Sequence, residues 1–551
     1  MSLDAIIIAD TGPDPVHRPS PLNPPSLKLD GKSATIQAVS NYLKNQGQIV
    51  PPIHGAGTMS LWSAPRYNGI FLLSHLLNHD FRVELINKYY VERDHFRELL
   101  KQSPRAVIIS TTFILTKESL RKLVDDIRSL APDILIIAGG PFVYKSYIFR
   151  QRCRERDYVV GSAHRDFLFF DNKEPSIDLH IISRQGEDIL CDALRRVKES
   201  RSLEEIPNTA RLVGNEYHFT HFKDVVTNRG EVSVDWKSLP DTVFKSGVLP
   251  MQASGGCFHK CAFCTFRKDS RMIFLKPVER LIDEMKMVEN RGVRYVRFID
   301  DNFRLGRPDL NTFCRRVVDE GLQIQWMTMI KISTLENTDA SLLRDSGCFE
   351  VALGLESTDP QVLKNMNKKA DPERYGPGVE RLLRAGINCS CYFLFGFPGE
   401  TDETVHRTRE FIERNEHPEL EGILSWNLYT LIVAPLSPIY EPEMRKKYGL
   451  KGYMDRWKHR TMDWRQADEH VKEALYELDN SGPIYRGDNL DMLHSLSPSQ
   501  RKAFYVSRYR LAKGSLRNQL EEKEIISTFE KIIPSEFLRV SGSSPELQAA
   551  N

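Results

Sequence analysis

The chain has 551 residues, with 76 Lys and Arg against 74 Asp and Glu, for a formal charge of +2 at pH 7. That length exceeds what one core usually serves, so two or three domains are expected. The balanced charge, without a long basic block, excludes nucleic acid as the main partner, and the lack of a long apolar run excludes a membrane span. The opening residues Met1 to Ala9 lack the basic stretch of a secretory leader, so a cytoplasmic location is expected. Nine cysteines, an odd number, fit reduced thiols better than a disulfide framework.

Asp4 to Ala9 is a continuous apolar run, as expected of a parallel strand buried on both faces. A Pro-rich stretch from Thr11 to Gly57, with one amphipathic segment at 34–43, reads as an insertion over one end of a sheet. Helices at 67–77, 93–100 and 117–130 then alternate with strands at 82–86, 106–110 and 134–138, which predicts a doubly wound parallel sheet. Ligands of such sheets sit at the carboxyl ends of the strands, here Ser110-Thr111-Thr112 and Gly139-Gly140-Pro141. A helix from Gln185 to Glu199 follows, and the polar stretch after it reads as a linker.

From Val248 the alternation resumes, with strands at 248–253, 295–300, 325–329, 349–353, 388–395 and 423–431. Pro277, the pair Asp359-Pro360, and Thr401 mark helix starts. Six strand and helix units are too few to close an eight-stranded barrel, so the sheet stays partly open. After Tyr440 the chain becomes charged and helical, and the tail from Ser541 reads as disordered. The expected organisation is α/β: a Rossmann-like domain over 1–205, a linker over 206–245, a partial barrel over 246–440, a helical region over 441–540 and a tail over 541–551.

Three cysteines spaced C-x3-C-x2-C, Cys257, Cys261 and Cys264, follow the first barrel strand. A structural zinc site normally takes four protein ligands, and an ordinary [4Fe-4S] cluster takes one cysteine per iron. Three thiols with no near fourth point to a cluster with one iron left open. A zinc knuckle completed by His259 or a distant Cys, or three unrelated buried thiols, is the competing reading.

In this motif the sequence resembles the radical S-adenosylmethionine (SAM) superfamily, and the domain before it resembles the cobalamin-binding domain of the B12-dependent class. The resemblance implies that Cys257, Cys261 and Cys264 hold a [4Fe-4S] cluster whose open iron chelates SAM. It implies SAM contacts from Phe263, from Asp301 and Asn302 in Asp300-Asp301-Asn302, from Glu356 in Gly354-Leu355-Glu356-Ser357, and from Gly396 in Gly396-Phe397-Pro398-Gly399. For cobalamin it implies Ser110, Thr111, Gly139 and Gly140, with Arg66 near the lower face of the corrin. Asp178-Leu179-His180 imitates half of the D-x-H-x-x-G motif that supplies a cobalt ligand, but His180 lies in an apolar strand-like run and Ser183 stands where Gly belongs, so the match is rejected. Relatives carry a Trp-x-His segment before helices that cover the barrel mouth; Trp457, His459, Tyr429 and Trp464 are therefore expected at the substrate.

The implied activity is cobalamin-dependent methylation of an unactivated carbon, or of phosphorus, in a natural-product, peptide or lipid substrate. An adenosyl radical would abstract hydrogen and methylcobalamin would supply the methyl group, with electrons from flavodoxin or ferredoxin. The alternatives are a radical cyclase or rearrangement enzyme without methyl transfer, and a cobalamin- or cluster-dependent sensor. No residue stands out as a catalytic acid or base.

Overall fold

The structure, a computed structural model, describes residues 2–12, 28–29, 32–33, 59–155, 158, 160–170, 175–214, 216–223, 233–265, 273–306, 310–517 and 522–534. The expected segment at 34–43 and the tail at 541–551 lie outside them. Chain order in the first part is β1 (Ala5–Ile8), α1 (Tyr67–Leu77), β2 (Val83–Ile86), α2 (Arg93–Leu100), β3 (Ala106–Ser110), α3 (Lys117–Leu130), β4 (Leu135–Gly139), α4 (Pro141–Glu155), β5 (Leu179–Ile181), α5 (Glu187–Lys198), β6 (Thr209–Val213) and β7 (Glu216–Phe219). They build one seven-stranded sheet in the order β2-β1-β3-β4-β5-β6-β7, parallel through β5 and antiparallel after it.

Why the early strands are unbroken apolar runs is visible in the packing. Ile6, Ile8, Val107 and Ile109 face α2 and α3, where Phe96, Leu120 and Leu123 are buried. Ala5, Ile7, Ala106 and Ile108 face the other way, toward Ile70 and Leu73 of α1 and Leu190 and Ala193 of α5. Both faces are covered, so alternation with polar residues is lost.

The stretch read as a linker, 206–245, is only partly one. Its first half forms the β6–β7 hairpin that continues the sheet, turning at Gly214, which has φ +61°. The later part lies against the second domain: Trp236 is buried and donates to Glu284 Oε2 at 3.3 Å.

The second sheet comprises β8 (Val248–Met251), β11 (Tyr295–Phe298), β12 (Gln325–Ile330), β13 (Cys348–Glu356), β14 (Asn388–Phe395), β15 (Leu424–Thr430) and the short β18 (Gly482–Pro483), in that order and all parallel. Between β8 and β11 lie the two-residue strands β9 (Ser254–Gly255) and β10 (Phe274–Leu275), then α6 (Val278–Glu289). The connecting helices are α7 (Leu310–Asp319), α8 (Ala340–Asp345), α9 (Pro360–Asn365), α10 (Tyr375–Arg384) and α11 (Asp402–Arg414). Among the described residues β8 and β18 do not pair, so the sheet is an open barrel, as six units predict. Asp359 caps α9 through the amides of Gln361 and Val362, and Thr401 forms a capping box at α11. Pro277 stands at the N-cap of α6, one position before the expected first turn.

The last part holds α12 (Pro442–Tyr448), the hairpin β16 (Lys451–Tyr453) and β17 (Arg456–Lys458), α13 (Trp464–Glu477), α14 (Leu490–Ser495), α15 (Pro498–Arg517) and α16 (Glu522–Ile532). No helix among the described residues is long and apolar enough to cross a membrane.

Candidate functional site

Two crevices carry the expected residues. The first opens where the strand order reverses, between β1 and β3, the place where open parallel sheets bind ligands. Asp10, just past β1, accepts from Arg66 Nε at 2.7 Å, and the Arg66 guanidinium lies 4.7 Å from the Phe113 ring centroid. Asn68, in the first turn of α1, donates to both Ala9 O and Ser110 Oγ at 2.8 Å. Its Oδ1 is buried without a hydrogen-bond partner. Sequence reasoning missed Asn68, because an Asn in a helical first turn carries no signal of its own.

Ser110, Thr111, Gly139 and Gly140 come together as expected. Thr111 Oγ1 donates to Gly139 O at 2.8 Å and accepts the Phe142 amide at 3.2 Å. Gly140 has φ +105°, and a Cβ there would stand 3.1 Å from Thr111 Oγ1. A side chain at this turn would meet both strain and crowding. His180 is fully buried against Phe169 and Tyr217, with burial pushing its pKa down to about 4; it is a core residue of β5.

The second crevice is the carboxyl end of the barrel. Asp300 is 3% exposed and accepts from the Ala253 amide at 3.0 Å and from Ser254 Oγ, bracing the start of the cysteine loop. Burial pushes this carboxyl up to about 6. Gly255 pairs with Phe274, whose ring would sit 2.3 Å from a Cβ at that position. The loop is held by backbone bonds from Ala262 to Met366 O at 2.7 Å and from Ile439 to Ala262 O at 2.8 Å.

Cys257, Cys261 and Cys264 are half-buried and not in disulfides. Among the described residues only His75, His79 and Cys191 bring three such ligand atoms within 4.8 Å of one another, so the three sulfurs of this loop do not all lie within that distance. A mononuclear zinc needs sulfurs about 3.8 Å apart. The wider spacing fits a multi-iron cluster better than the zinc knuckle. His259, the supposed fourth zinc ligand, instead accepts from Lys331 Nζ at 3.3 Å, and burial together with Lys331, Lys368 and Lys369 pushes its pKa down to about 4. The lysines give the loop a cationic wall. Lys368 also pairs with Glu356 at 3.0 Å, and Glu356 has φ +69°, a strained conformation of the kind found at ligand sites.

Asp301 is exposed, yet burial of its carboxyl raises its pKa while a bond from the Gly256 amide opposes the rise. Asn302 Oδ1 accepts the Lys331 amide at 3.3 Å. Phe263 lies edge-on to Phe397, centroids 6.5 Å apart, which brings two of the expected SAM segments together.

Gly396 has φ +87°, and a Cβ there would meet Trp457 Cη2 at 2.4 Å and Ala467 Cβ at 2.9 Å. Its amide is bound by Glu400, and its carbonyl accepts from His459 Nε2 at 2.9 Å. Trp457 and His459 stack 5.1 Å apart and are 1% and 3% exposed. The expectation that they touch substrate is therefore corrected: both pack beneath the glycine segment and set its shape. Tyr429 does face the barrel interior, 44% exposed and parallel to Tyr392 at 6.1 Å.

Sequence reasoning also missed the charged groups of the interior. Val296 and Phe298 pack in the core, so the intervening Arg297 points to the opposite, open face. Glu350, from β13, binds Arg486 in a two-pronged pair at 2.7 and 2.6 Å and accepts from Ser390 Oγ at 2.5 Å. Burial and the nearby Arg486 both lower the Arg297 pKa. A charged residue inside an otherwise apolar parallel strand was the available signal.

The two crevices adjoin. Lys145 of α4 donates to Thr265 Oγ1 at 3.3 Å, beside Cys264. At the other end, Leu61 and Ala64 pack against Val248, Tyr295 and Met327, and Trp62 bonds to Arg486 O at 3.2 Å. Arg66, which follows this segment, is close enough to Arg297 to repel it.

A family model of the radical SAM superfamily matches residues 251–412. The chain is 26% identical over 317 residues to an uncharacterized methyltransferase, PH0819, of Pyrococcus horikoshii, covering 54% of this chain and 67% of that protein. It is 24% identical to the anaerobic magnesium-protoporphyrin IX monomethyl ester cyclase of Cereibacter sphaeroides, covering 61% of this chain and 57% of the relative, less than two thirds of its length. Among solved structures, TsrM from Kitasatospora setae, a radical SAM methyltransferase with cobalamin and a [4Fe-4S] cluster bound, superposes with TM-score 0.58 at 15% identity, covering 94% of this chain and 100% of that one. Residues 251–412 thus match the radical SAM superfamily, and the two-sheet architecture around them has the fold of TsrM.

Proposed function

We propose that this protein is a cobalamin-dependent radical SAM methyltransferase acting on an unactivated carbon or on phosphorus of a natural-product, peptide or lipid precursor. The observation that carries the reading is the junction of the two crevices: Lys145 meets the cysteine loop, and Arg66 stands within reach of the barrel interior. A group seated between β1 and β3 would look into the same space as one seated on the cysteines. The donor sets fit. Three separated thiols beside Lys331 and Lys368 suit an anionic cluster with one open iron, and the small-residue turn at Gly139-Gly140 suits a bulky ring.

In this reading Cys257, Cys261 and Cys264 hold the cluster. Phe263 and the Gly396 segment flank adenine, while Asp301, Asn302 and Glu356 hold the polar parts of SAM. Ser110, Thr111, Gly139, Gly140 and the orphan Oδ1 of Asn68 take cobalamin, with Arg66 below the ring. When bound, these groups supply hydrogen abstraction by an adenosyl radical and methyl delivery from cobalt, and the protein binds, orients and excludes water. Tyr429, Tyr392 and Arg297 then line the substrate space, while the first sheet runs on to Phe219 and the second takes in Gly482–Pro483, both past the boundaries expected at 205 and 440. Electrons would come from a flavodoxin or ferredoxin in the cytoplasm.

The test is anaerobic reconstitution with iron, sulfide and cobalamin, followed by visible spectra and product analysis. Cluster absorbance, retained corrinoid, and formation of both 5′-deoxyadenosine and S-adenosylhomocysteine are expected; Cys257→Ser removes the first and both products. A full chain that holds neither cluster nor corrinoid sinks the reading. The likeness to a ring-forming cyclase favours a second reading, radical cyclisation, which yields 5′-deoxyadenosine without S-adenosylhomocysteine.

A further inference from the structure

Away from both crevices, His75 near the end of α1, His79 four residues on, and Cys191 of α5 place one ring nitrogen each and the Sγ within 4.8 Å of one another. We propose that these three side chains, with Asp188 as fourth ligand, form a structural site for a single zinc-class divalent cation that staples α1 to α5. The set is chemically suited: two imidazoles, a thiolate and a carboxylate are the donors that four-coordinate zinc takes.

Each ligand is presented in the form a metal needs. The Nδ1 of His79 lies 2.8 Å from His75 O, so it carries the proton and donates there, which leaves the Nε2 lone pair free. His75 Nε2 is buried and makes no well-aligned hydrogen bond. Asp188 Oδ1 stands 3.4 Å from that nitrogen, and the two do not align as a hydrogen bond. That separation is about the edge of a zinc tetrahedron. The His75 and His79 rings lie 4.4 Å apart at 40°, close enough to converge on one point. Asp188 lies outside the trio whose ligand atoms are all within 4.8 Å, and its exposed side chain would turn inward to complete the set.

The charges around the site are Glu187 and Asp188 on one side and Arg195 on the other. Arg195 turns toward the face of Phe81, 6.0 Å from its centroid. The Cys191 thiol is 1% exposed. Bound as a thiolate beside the Asp188 carboxylate, it would neutralise the dication. The closed four-ligand set leaves no position for substrate, so the role is structural. Its position gives that role a consequence: Ser74, beside His75, accepts the Asp235 amide at 2.8 Å, so the stapled helix anchors the segment entering the second domain.

The experiment uses the full-length chain with Cys257, Cys261 and Cys264 all changed to Ser, so that the cluster loop cannot compete. Anaerobic titration with Co²⁺ should give thiolate-to-cobalt charge-transfer absorbance and tetrahedral visible bands that saturate at about one equivalent and are displaced by Zn²⁺. Adding His79→Gln should abolish the saturable bands, and adding Cys191→Ser should remove the charge-transfer band. Zn²⁺ should raise the melting temperature of the parent and leave that of the His79→Gln form unmoved, a comparison that does not rely on Cys191. No tetrahedral cobalt spectrum, or one that survives both substitutions, overturns the proposal. The cluster-loaded natural chain should carry zinc in addition to its iron. The site's failure would leave the methyltransferase reading untouched, because none of its residues touches either crevice.

Discussion

Glu400 offers a quantitative test of the packing under the glycine segment. It is fully buried, its Oε2 accepts the Gly396 amide, its Oε1 has no partner, and burial raises its pKa from 4.5 to about 8. The folded state therefore binds a proton more tightly than the unfolded chain does. This contribution to stability is fully present below pH 4.5, declines as pH rises, and is lost above about 8. Integrating the two titrations from pH 6 to pH 9 gives a loss of about 3 kcal/mol from this one group, an order-of-magnitude figure. Glu400→Gln keeps the oxygen that accepts Gly396 and cannot ionise, so the loss should vanish in the variant. The assay is chemical denaturation of both proteins at pH 6 and pH 9, using the difference between them so that other titrating groups cancel. The stability difference between variant and parent is expected to grow in the variant's favour by about 3 kcal/mol from pH 6 to pH 9. Parallel pH dependence of the two would mean that the Glu400 carboxyl is hydrated in solution, and the account of a dry support beneath Gly396 would be wrong.

Gly396→Ala should cost about 2–5 kcal/mol, the sum of a left-handed backbone and overpacking against Trp457 and Ala467, and should weaken SAM binding measured by calorimetry on cluster-loaded protein. Lys276→Met removes the nearer cation of buried Glu284, at 2.7 Å against 3.6 Å for Arg280, and should cost about 3 kcal/mol in denaturation; adding Glu284→Leu should recover much of it. Gly140→Ala should lower corrinoid retention after gel filtration, because the added methyl meets Thr111 at a turn that requires positive φ.

Which parts of this molecule could be read from sequence follows from where the deciding forces act. Strands such as Ala5–Ile8 and Ala106–Ser110 were legible because burial on both faces leaves a nearly uninterrupted apolar run. The starts at Asp359 and Thr401 were legible because capping is a local hydrogen bond. The hairpin Thr209–Val213 with Glu216–Phe219 was missed because its exposed edge position makes it polar, although Gly214-Asn215 between alternating residues is a turn signal. Trp457 and His459 were assigned to the wrong surface for a different reason. A Trp-x-His pair in a short strand alternates faces by itself, and only the fold over Gly396 decides that both rings are enclosed, one under the glycine Cα and the other on its carbonyl.

That enclosure changes what the last third of the chain does. Gly396 lies at the end of β14, and its positive φ is supported from three directions: Glu400 on the amide, His459 on the carbonyl, and the Trp457 ring where a side chain would be. Trp457 in turn donates its indole N–H to Leu431 O, just past β15, so the hairpin β16–β17 ties the ends of two adjacent barrel strands together. The residues after Tyr440 therefore do more than cover the barrel mouth. They fix the backbone geometry of a segment that belongs to the barrel itself, and a barrel cut before residue 450 would leave that glycine without two of its three supports.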